Sequence, residues 1–449
     1  MNLISYEFVL VFLPIAFAIY WHVLRSQKSK LIFLTLLSYL FYYLLGGGYV
    51  LLLLVMSLLT FISARIRCTH SAIVINLLPL LLYKTLLVQQ GFGLPQFSDF
   101  ILPLGISYFT FKHIGYLVDV QKGRLEAEKN LIAFLAFSAF FPQLVAGPIS
   151  NYRDTGAQLL HLPESLEKQE RIDALIYIVY GLFKKLLIAD VLGRALKTGM
   201  LQVSYVGFSW AILTLVIYVM QLYFDFSGYT DFVLGVGRLF GISLPENFNN
   251  PFCADSPREF WNRWHLSMTT WFRNYVYFPV SRSMLIKFGR EYTSWVEGMA
   301  TLLTMVMIGL WHNFTPGFVL WGIYNATLIL VQSWGAKNKL RIGNAAFARL
   351  VSQLAIFLGF SFLVFPNMAG VSSLIINFFG VNGVGQSNYD VFTLAVLFMA
   401  VFLALKGIVE ARNLPLSLKT DYVFIWGVIA VLCIMFLDAE VISFAYAQF

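Results

Sequence analysis

Charged side chains are scarce in this chain of 449 residues, because Asp, Glu, Lys and Arg together make up only 12% of it. Soluble domains contain about 25% charged residues, so the composition excludes an ordinary soluble globular protein. Hydrophobic residues reach 59% and the mean hydropathy is +0.74. These values predict a protein that crosses a membrane several times.

Other absences narrow the possible architecture and chemistry. The three cysteines are scattered without Cys-x-x-Cys or Cys/His spacing, which indicates structural thiols rather than a metal site or a disulfide framework. Neither a GxSxG motif nor a catalytic-cysteine signature is present, so nothing indicates a covalent enzyme intermediate. No repeat of about 20 to 50 residues and no low-complexity linker divides the chain. We therefore predict one integral membrane domain covering residues 1–449.

Uncharged apolar runs longer than about 18 residues recur along the chain and predict about eleven membrane spans, some short or re-entrant. The run at 8–24 has no basic residue before it, so we interpret it as the first span rather than a cleavable leader. The run at 31–64 is interrupted by three glycines at 46–48 and predicts a helical hairpin. Further uncharged runs lie at 131–152, 198–224, 350–389 and 422–437.

Basic residues alternate between successive loops, which is the positive-inside pattern of membrane proteins. Clusters at 25–30, 65–67 and 122–129 contain Lys and Arg, whereas the intervening turns at 46–48 and 91–103 contain neither. The pattern predicts that both termini are extracytoplasmic. The net charge of +8 is then explained by topology and by anionic lipid headgroups, without a nucleic-acid partner.

A solitary histidine, His312, lies in a stretch from Gly298 to Ala336 that contains no Asp, Glu, Lys or Arg. A titratable imidazole is costly to place in such surroundings, which favours a role in proton transfer. The alternative is a structural histidine that forms hydrogen bonds across helices.

The main change in composition is a polar, aromatic interval from Pro245 to about Arg290. Ser256, with Pro257 and Glu259 after it, predicts a helix that begins there and continues to about Tyr277. On one face of that helix the residues at i, i+4, i+7 and i+11 would form a stripe. These residues are Trp261, His265, Met268 and Phe272.

Two interpretations of this interval stay open. An interfacial amphipathic helix would hold its tryptophans at headgroup level and its arginines on phosphates. A functional site would instead place His265 beneath the lipid surface, with arginines that attract a phosphorylated donor, because guanidinium groups bind phosphate in bidentate fashion. The arginines in question are Arg258, Arg263 and Arg273.

Two further clusters interrupt apolar runs. In YFDFSGYTDF, at 223–232, Asp225 and Asp231 would cap a helix, pair with Arg238 or line a substrate site. In FFPQLVAGPISNYR, at 140–153, two prolines break an apolar segment. Irregular backbone at membrane depth needs protein or a water-filled cavity around it, so this segment is predicted to be re-entrant.

With these clusters in view, the chain resembles the membrane-bound O-acyltransferase superfamily, specifically its bacterial alginate O-acetyltransferase-like branch, which is related to D-alanyl teichoic acid transfer proteins. The segments that carry the resemblance cover nearly the whole chain. They are FVLVFLPIAFAIYW, LPLGISYFTFKHIGYLVDV, FFPQLVAGPI, YFDFSGYTDF, ENFNNPF, FWNRWHLSMTTWFRNYVY and LWHNFTPGFVLWG.

The resemblance implies an all-α polytopic membrane fold, in which spans and re-entrant and interfacial helices surround a central tunnel. It implies His312 and His265 as the catalytic histidines. The residues expected to bind substrate are Trp311, Asn313, Trp261, Trp264, Arg258, Arg263, Arg273, Asn274 and Asp225. The chain departs from the family pattern at Asn274, where Asp is usual, at Asn325, where a second His is common, and at Asn313, where Gly is common.

The predicted function is O-acyl transfer in the bacterial inner membrane, with acetyl as the expected group. No cofactor is expected to stay bound, and acetyl-CoA or an acyl carrier protein thioester is the expected donor. His312 would take the acceptor's proton, while His265, Asn313 or the Trp311 indole would stabilise the oxyanion. A separate periplasmic or membrane-anchored transferase would then modify an exopolysaccharide or cell-wall glycan. The alternatives are D-alanyl transfer from a carrier protein to a cell-wall polymer, and a transporter of a lipid or small acid.

Overall fold

The structure is a computed structural model that describes residues 3–91, 103–201, 207–340, 343–365, 368–385 and 389–410, together with 429, 431–433 and 435. The regular secondary structure of the described residues is helical, and one isolated bridge, between Phe248 and Trp264, is the extended pairing among them. The prediction of an all-α membrane fold is confirmed. The predicted turn at 91–103 and the predicted span at 422–437 lie mostly outside the described residues.

The described residues divide into two compact units, and the residues of each unit contact mainly other residues of the same unit. The first unit contains Met1–Phe183 and Gly228–Glu246, and the second contains Lys184–Ser227 and Asn247–Ser417. The single domain that we predicted over residues 1–449 stays a prediction.

The first unit contains eight helices in its described part before residue 184. They are α1 (Glu7–Val23), α2 (Gln27–Gly46), α3 (Tyr49–Arg65), α4 (Thr69–Gly91), α5 (Ile106–Gln121), α6 (Leu131–Ala139), α7 (Ala157–Leu160) and α8 (Lys168–Leu182). The predicted hairpin of α2 and α3 is confirmed, and Gly47 turns the chain with φ of +56°. Glycine adopts this conformation without the steric cost that a side chain would add.

Side chains cap the helices where the sequence offers short polar residues. Ser26 accepts a hydrogen bond from the Ser29 N–H at the start of α2. Asn130 accepts from two backbone N–H groups at the start of α6, and Glu167 and Glu170 form a capping box at α8. Such caps satisfy the N–H groups that a helix leaves unpaired at its first turn.

A buried polar network connects α3, α4, α5 and α6. His113 Nδ1 lies 2.9 Å from the Asn76 side-chain oxygen, and His113 Nε2 lies 2.7 Å from Ser138 Oγ. Ser138 Oγ in turn lies 2.6 Å from Ser57 Oγ. All four side chains are buried. Hydrogen bonds of this kind hold helices together where apolar surroundings leave no water to compete.

The predicted break in the apolar run at 131–152 is confirmed, because α6 ends at Ala139 and a single short turn, Phe141–Gln143, follows. The irregular segment after it is enclosed by protein: Phe141 and Ala146 are fully buried. A Cβ at Gly147 would lie 2.3 Å from the Cα atom of Gln143, so only glycine fits there. Whether this segment is re-entrant in a bilayer stays a prediction.

The second unit contains the later helices, and α10 contributes residues to both units. They are α9 (Asp190–Leu201), α10 (Phe208–Leu239), α11 (Pro257–Trp261), α12 (Leu266–Phe272), α13 (Phe278–Phe288), α14 (Thr293–His312), α15 (Pro316–Lys337), α16 (Ala345–Gly359), α17 (Ser361–Val364), α18 (Met368–Phe378) and α19 (Val391–Glu410). A π-helix at Phe183–Ala189 precedes α9, and another at Arg273–Tyr277 connects α12 to α13.

Several helices in the described ranges are apolar and long enough to cross a membrane. Five meet both criteria: Gln27–Gly46, Thr69–Leu86, Phe208–Leu239, Arg290–His312 and Ala346–Val364. Shorter apolar helices, such as Glu7–Val23 and Tyr49–Arg65, accompany them. The multi-pass character is confirmed, whereas the count of about eleven spans stays a prediction.

Candidate active site

His312 is the last residue of α14, at the closed end of the hairpin formed by α14 and α15. Two glycines let these helices approach closely. A Cβ at Gly309 would lie 2.2 Å from the Phe318 carbonyl oxygen, and one at Gly322 would lie 2.6 Å from the Met305 carbonyl oxygen. Backbone contact at this distance fixes the end of α14, and with it the position of His312.

Aromatic rings surround the His312 imidazole, which is 7% exposed. Its centroid lies 4.5 Å from that of Trp311 and 6.0 Å from that of Phe318. Trp321 meets it edge to face at 5.9 Å. Asn313 follows with extended backbone and a partly exposed side chain, so the site borders a more open surface at this residue.

His265 lies at a break between two helices, and the continuous helix that we predicted from Ser256 to about Tyr277 is wrong at this point. Ser256 does cap α11, accepting a hydrogen bond from the Glu259 N–H, but α11 ends at Trp261. His265 has φ of +45°, and α12 begins at the next residue. A left-handed residue other than glycine is uncommon and frequently marks a functional site.

The physical reason for the break is a tertiary contact from the preceding segment. The Asn247 carbonyl accepts a hydrogen bond of 2.9 Å from the Leu266 N–H, and the Asn247 side chain accepts one of 2.6 Å from the Ser267 hydroxyl. Phe248 also pairs with Trp264 in the isolated bridge. These bonds give the backbone an alternative to a continuous helix, and the periodicity of 256–277 contains no sign of them.

The break directs the His265 side chain into the protein, where it is fully buried. Its imidazole meets the Phe226 ring edge to face at 4.6 Å and lies 6.0 Å from the Trp311 ring. Complete burial lowers the pKa of His265 to about 3, because desolvation disfavours the charged form. The imidazole is therefore neutral at physiological pH.

The structure thus brings both predicted histidines near one indole, since the Trp311 ring lies 6.0 Å from the His265 ring and 4.5 Å from the His312 ring. Trp261 reaches the same cluster through Trp321, which it meets edge to face at 5.3 Å. Trp264 is placed differently. Phe248, Phe260 and Phe360 surround it at 5.2 to 5.4 Å, so it packs in the interior of the unit.

The polar residues predicted to meet a phosphorylated donor lie near the surface. Arg263 forms an ion pair of 2.7 Å with Glu259, and exposed Arg258 donates to the Ser333 hydroxyl at 2.9 Å. Arg273 is exposed and Asn274 is half-buried in the π-helix after α12. Their role in donor binding stays a prediction, and the charge of Arg263 is already balanced by its neighbour.

Asp225 belongs to a buried ion cluster whose pairing could not be predicted from the sequence. Lys185 lies 2.6 Å from Asp225 and 2.7 Å from Asp190, and all three side chains are at most 3% exposed. Arg238, the partner that we considered for the acidic residues, stacks on the Tyr177 ring at 3.9 Å, and its pairing with Asp231 stays a prediction. The signal for Lys185 was the pair of lysines inside the otherwise apolar segment GLFKKLLIA. A substrate-lining role for Asp225 stays a prediction.

Asn325, the other departure from the family pattern, is 2% exposed and donates its amide N–H to the Trp321 carbonyl of its own helix at 2.8 Å. Asn325 therefore lies one helical turn after Trp321, whose indole packs on His312. Within the described ranges, no group of His, Cys, Asp and Glu side chains has the arrangement of a metal site.

Comparisons with known proteins place both histidines inside a matched region. The model of the MBOAT, membrane-bound O-acyltransferase family, matches residues 124–334. Teichoic acid D-alanyltransferase of Bacillus subtilis is 32% identical over 305 residues, which are 66% of this chain and 75% of that protein.

Two relatives with O-acetyl activity in their names match over similar lengths. Probable alginate O-acetylase AlgI of Azotobacter vinelandii is 36% identical over 248 residues, which are 55% of this chain and 48% of that protein. Peptidoglycan O-acetyltransferase of Helicobacter pylori is 28% identical over 313 residues, 63% of this chain and 58% of that protein. The chain therefore spans about half the length of the alginate relative.

Proposed function

This chain belongs to the membrane-bound O-acyltransferase family, and from this membership we propose that it transfers an acyl group from a thioester donor to a hydroxyl group. The observation that supports this most is the placement of His312 and His265 against the same indole, in a buried aromatic cluster at the end of an apolar helix. Such a site excludes the water that would otherwise hydrolyse a thioester.

We assign the role of general base in this reaction to His312. Its neutral imidazole takes the proton of the acceptor hydroxyl as the oxygen attacks the thioester carbonyl carbon, and the carbonyl π electrons move to the oxygen. When the tetrahedral intermediate collapses, the carbon–sulfur bond breaks and the leaving thiolate takes the proton from the imidazolium. His265, which is buried and neutral, together with Asn313 and Trp311, is available to stabilise the oxyanion.

The geometry of α14 supports delivery of the acceptor from outside the cell. A helix of this length rises about 30 Å, which equals the hydrocarbon thickness of a bilayer. Arg282, Lys287 and Arg290 precede α14, and His312 ends it. If the basic end is cytosolic, His312 lies toward the extracytoplasmic surface of the inner membrane, where a separate transferase would collect the acyl group.

Acetyl is the acyl group that we propose, because two of the relatives described above are named for O-acetyl transfer. Transfer of D-alanine from a carrier protein is the second candidate, and the match to three quarters of the Bacillus subtilis protein favours it. The transporter alternative differs from both, because it requires ligand movement without a new covalent bond.

An incubation experiment tests these proposals. The purified protein is mixed with a glycan-modifying partner and with one radiolabelled donor, either acetyl-CoA or D-alanyl carrier protein. We expect label transfer from one donor, and a loss of about 10³-fold or more in His312→Ala, as for removal of a catalytic base. His161→Ala is the matched control, because His161 is exposed. Label transfer that His312→Ala leaves intact would contradict the proposal.

A further inference from the structure

Trp261 has a buried polar atom that nothing in the fold explains. Its side chain is 5% exposed, and its indole N–H has no hydrogen-bond acceptor among the described residues. Buried N–H groups in proteins are nearly always paired, because an unpaired donor loses its bonds to water without replacement. An unpaired donor at a site of chemistry is therefore a candidate for contact with substrate.

Two aromatic neighbours hold this indole in place. Trp261 ends α11, whose start is capped by Ser256, and Phe260 meets it edge to face at 5.4 Å. Trp261 also meets Trp321, the same indole that packs edge to face on His312. The unpaired N–H thus belongs to a ring held one aromatic neighbour away from the proposed base.

We propose that the Trp261 N–H donates a hydrogen bond to the carbonyl oxygen of the acyl group that reacts beside His312. This rests on the proposed acyltransferase function and gives a specific task to a residue that the sequence placed only among those expected to bind substrate. As the acceptor oxygen attacks, negative charge moves to the carbonyl oxygen and the hydrogen bond strengthens. The indole N–H does not ionise at neutral pH, so it stabilises this charge without giving up its proton.

A packing role for Trp261 predicts a different response to substitution. If the ring only fills space, loss of the N–H has no effect, and loss of ring volume lowers stability and activity together. If the N–H serves the reaction, Trp261→Phe selectively lowers kcat. In that case replacement of the N–H alone, with the ring volume kept, lowers kcat and leaves thermal stability unchanged or raises it.

Trp210 supplies a matched control. It lies in the same unit, is 8% exposed, and its indole N–H also has no acceptor in the described part of the chain. Its ring lies 6.5 Å from Phe365, and we assign it no part in the reaction. Trp210→Phe therefore removes an equally buried N–H without a predicted catalytic cost.

The experiment measures acyl transfer and thermal unfolding for wild type, Trp261→Phe, Trp210→Phe and His312→Ala. A fifth protein carries a benzothiophene analogue of tryptophan at position 261, which keeps the bicyclic ring but lacks the N–H. We expect kcat to fall about 10²- to 10³-fold in both proteins altered at 261, as for loss of one oxyanion donor. In the benzothiophene protein the donor KM and the unfolding temperature should change little, and Trp210→Phe should retain wild-type kcat.

The outcomes separate the two proposals. If the benzothiophene protein retains wild-type kcat while His312→Ala is inactive, the role of the Trp261 N–H is refuted and the acyltransferase function stands. If wild type transfers no acyl group from either donor, both proposals fail. If only Trp261→Phe loses activity and it also unfolds at lower temperature, the ring serves packing and the inference is overturned.

Discussion

The two histidines of the site differ in what each can reach. His265 is fully enclosed and its backbone is held in the left-handed region by the bonds from Asn247, so its ring has little freedom to follow a reacting group. His312 ends a helix beside the partly exposed Asn313. An incoming hydroxyl therefore meets His312 more readily, which supports the base role for His312 and a polarising role for His265.

This difference predicts how the rate depends on pH. Because burial lowers the pKa of His265 to about 3, His265 stays neutral throughout the range from about pH 5 to 8 in which an unperturbed histidine titrates. Any fall in kcat/KM toward acidic pH then comes from protonation of a group other than His265. We expect His265→Gln to lower kcat/KM about 10²-fold. The pH at which kcat/KM falls to half of its maximum on the acidic side should not change.

The measurement is kcat/KM against pH for wild type, His265→Gln and the exposed-site control His161→Gln. The control should reproduce the wild-type profile, because His161 is exposed. A fall in rate at acidic pH that shifts by a full pH unit or vanishes in His265→Gln would show that His265 itself titrates in this range, and would contradict its neutral, polarising role.

At the scale of elements, local sequence signals determine where helices start, and tertiary contacts determine where some of them stop. The Ser256 cap and the glycine turn between α2 and α3 could be predicted, because each depends on residues within a few positions of one another. The break before His265 could not, because it depends on hydrogen bonds from Asn247. The Lys185 cluster was missed for the same reason, since Asp225 lies on a different helix.

The hairpin of α14 and α15 is the element that places His312, and its close approach gives a testable prediction. Gly309→Ala would put a Cβ 2.2 Å from the Phe318 carbonyl oxygen, and a backbone atom cannot move aside without separating the helices. We expect a loss of about 1–3 kcal/mol in stability, as for overpacking of a filled interior, and a fall in transfer rate because His312 is displaced.

Gly335→Ala is the control for this change, because it lies in the same hairpin and a Cβ there would meet nothing within 4 Å. Because alanine has a higher helical propensity than glycine, Gly335→Ala should raise stability by up to about 1 kcal/mol. The rate of acyl transfer should not change. Thermal unfolding in detergent and initial transfer rates measure both effects. A Gly309→Ala protein as stable and as active as Gly335→Ala would show that the two helices are less tightly packed than the structure indicates.

At the scale of the whole molecule, every predicted site residue lies in the second unit, whereas the first contains the buried network around His113. Composition was sufficient to predict an all-α membrane protein, because scarce charge and recurrent apolar runs are properties of the whole chain. Composition could not predict the division into two units, because that depends on which helices contact one another.

The distribution of basic residues predicts the orientation of the whole chain, and this prediction can be tested on α3 alone. Exposed Cys68 follows Arg65 and Arg67 after the end of α3, whereas Gly48 directly precedes α3 in a turn without basic residues, where a Cβ would have nothing within 4 Å. The positive-inside pattern predicts that the arginine end lies in the cytosol. One protein retains Cys68 as its only cysteine, and a second carries Gly48→Cys in a background without the natural cysteines.

A membrane-impermeant maleimide, applied to right-side-out and to inverted vesicles, should label the two positions from opposite sides. We expect Gly48→Cys to react in right-side-out vesicles and Cys68 only in inverted ones. Acyl transfer by both proteins is the control for folding. Labelling of both positions from one side would show that α3 does not cross the bilayer, and the reverse sidedness would place the basic loops outside. Either result would remove the argument that α14 carries His312 toward the extracytoplasmic surface, since that argument rests on the same distribution of basic residues.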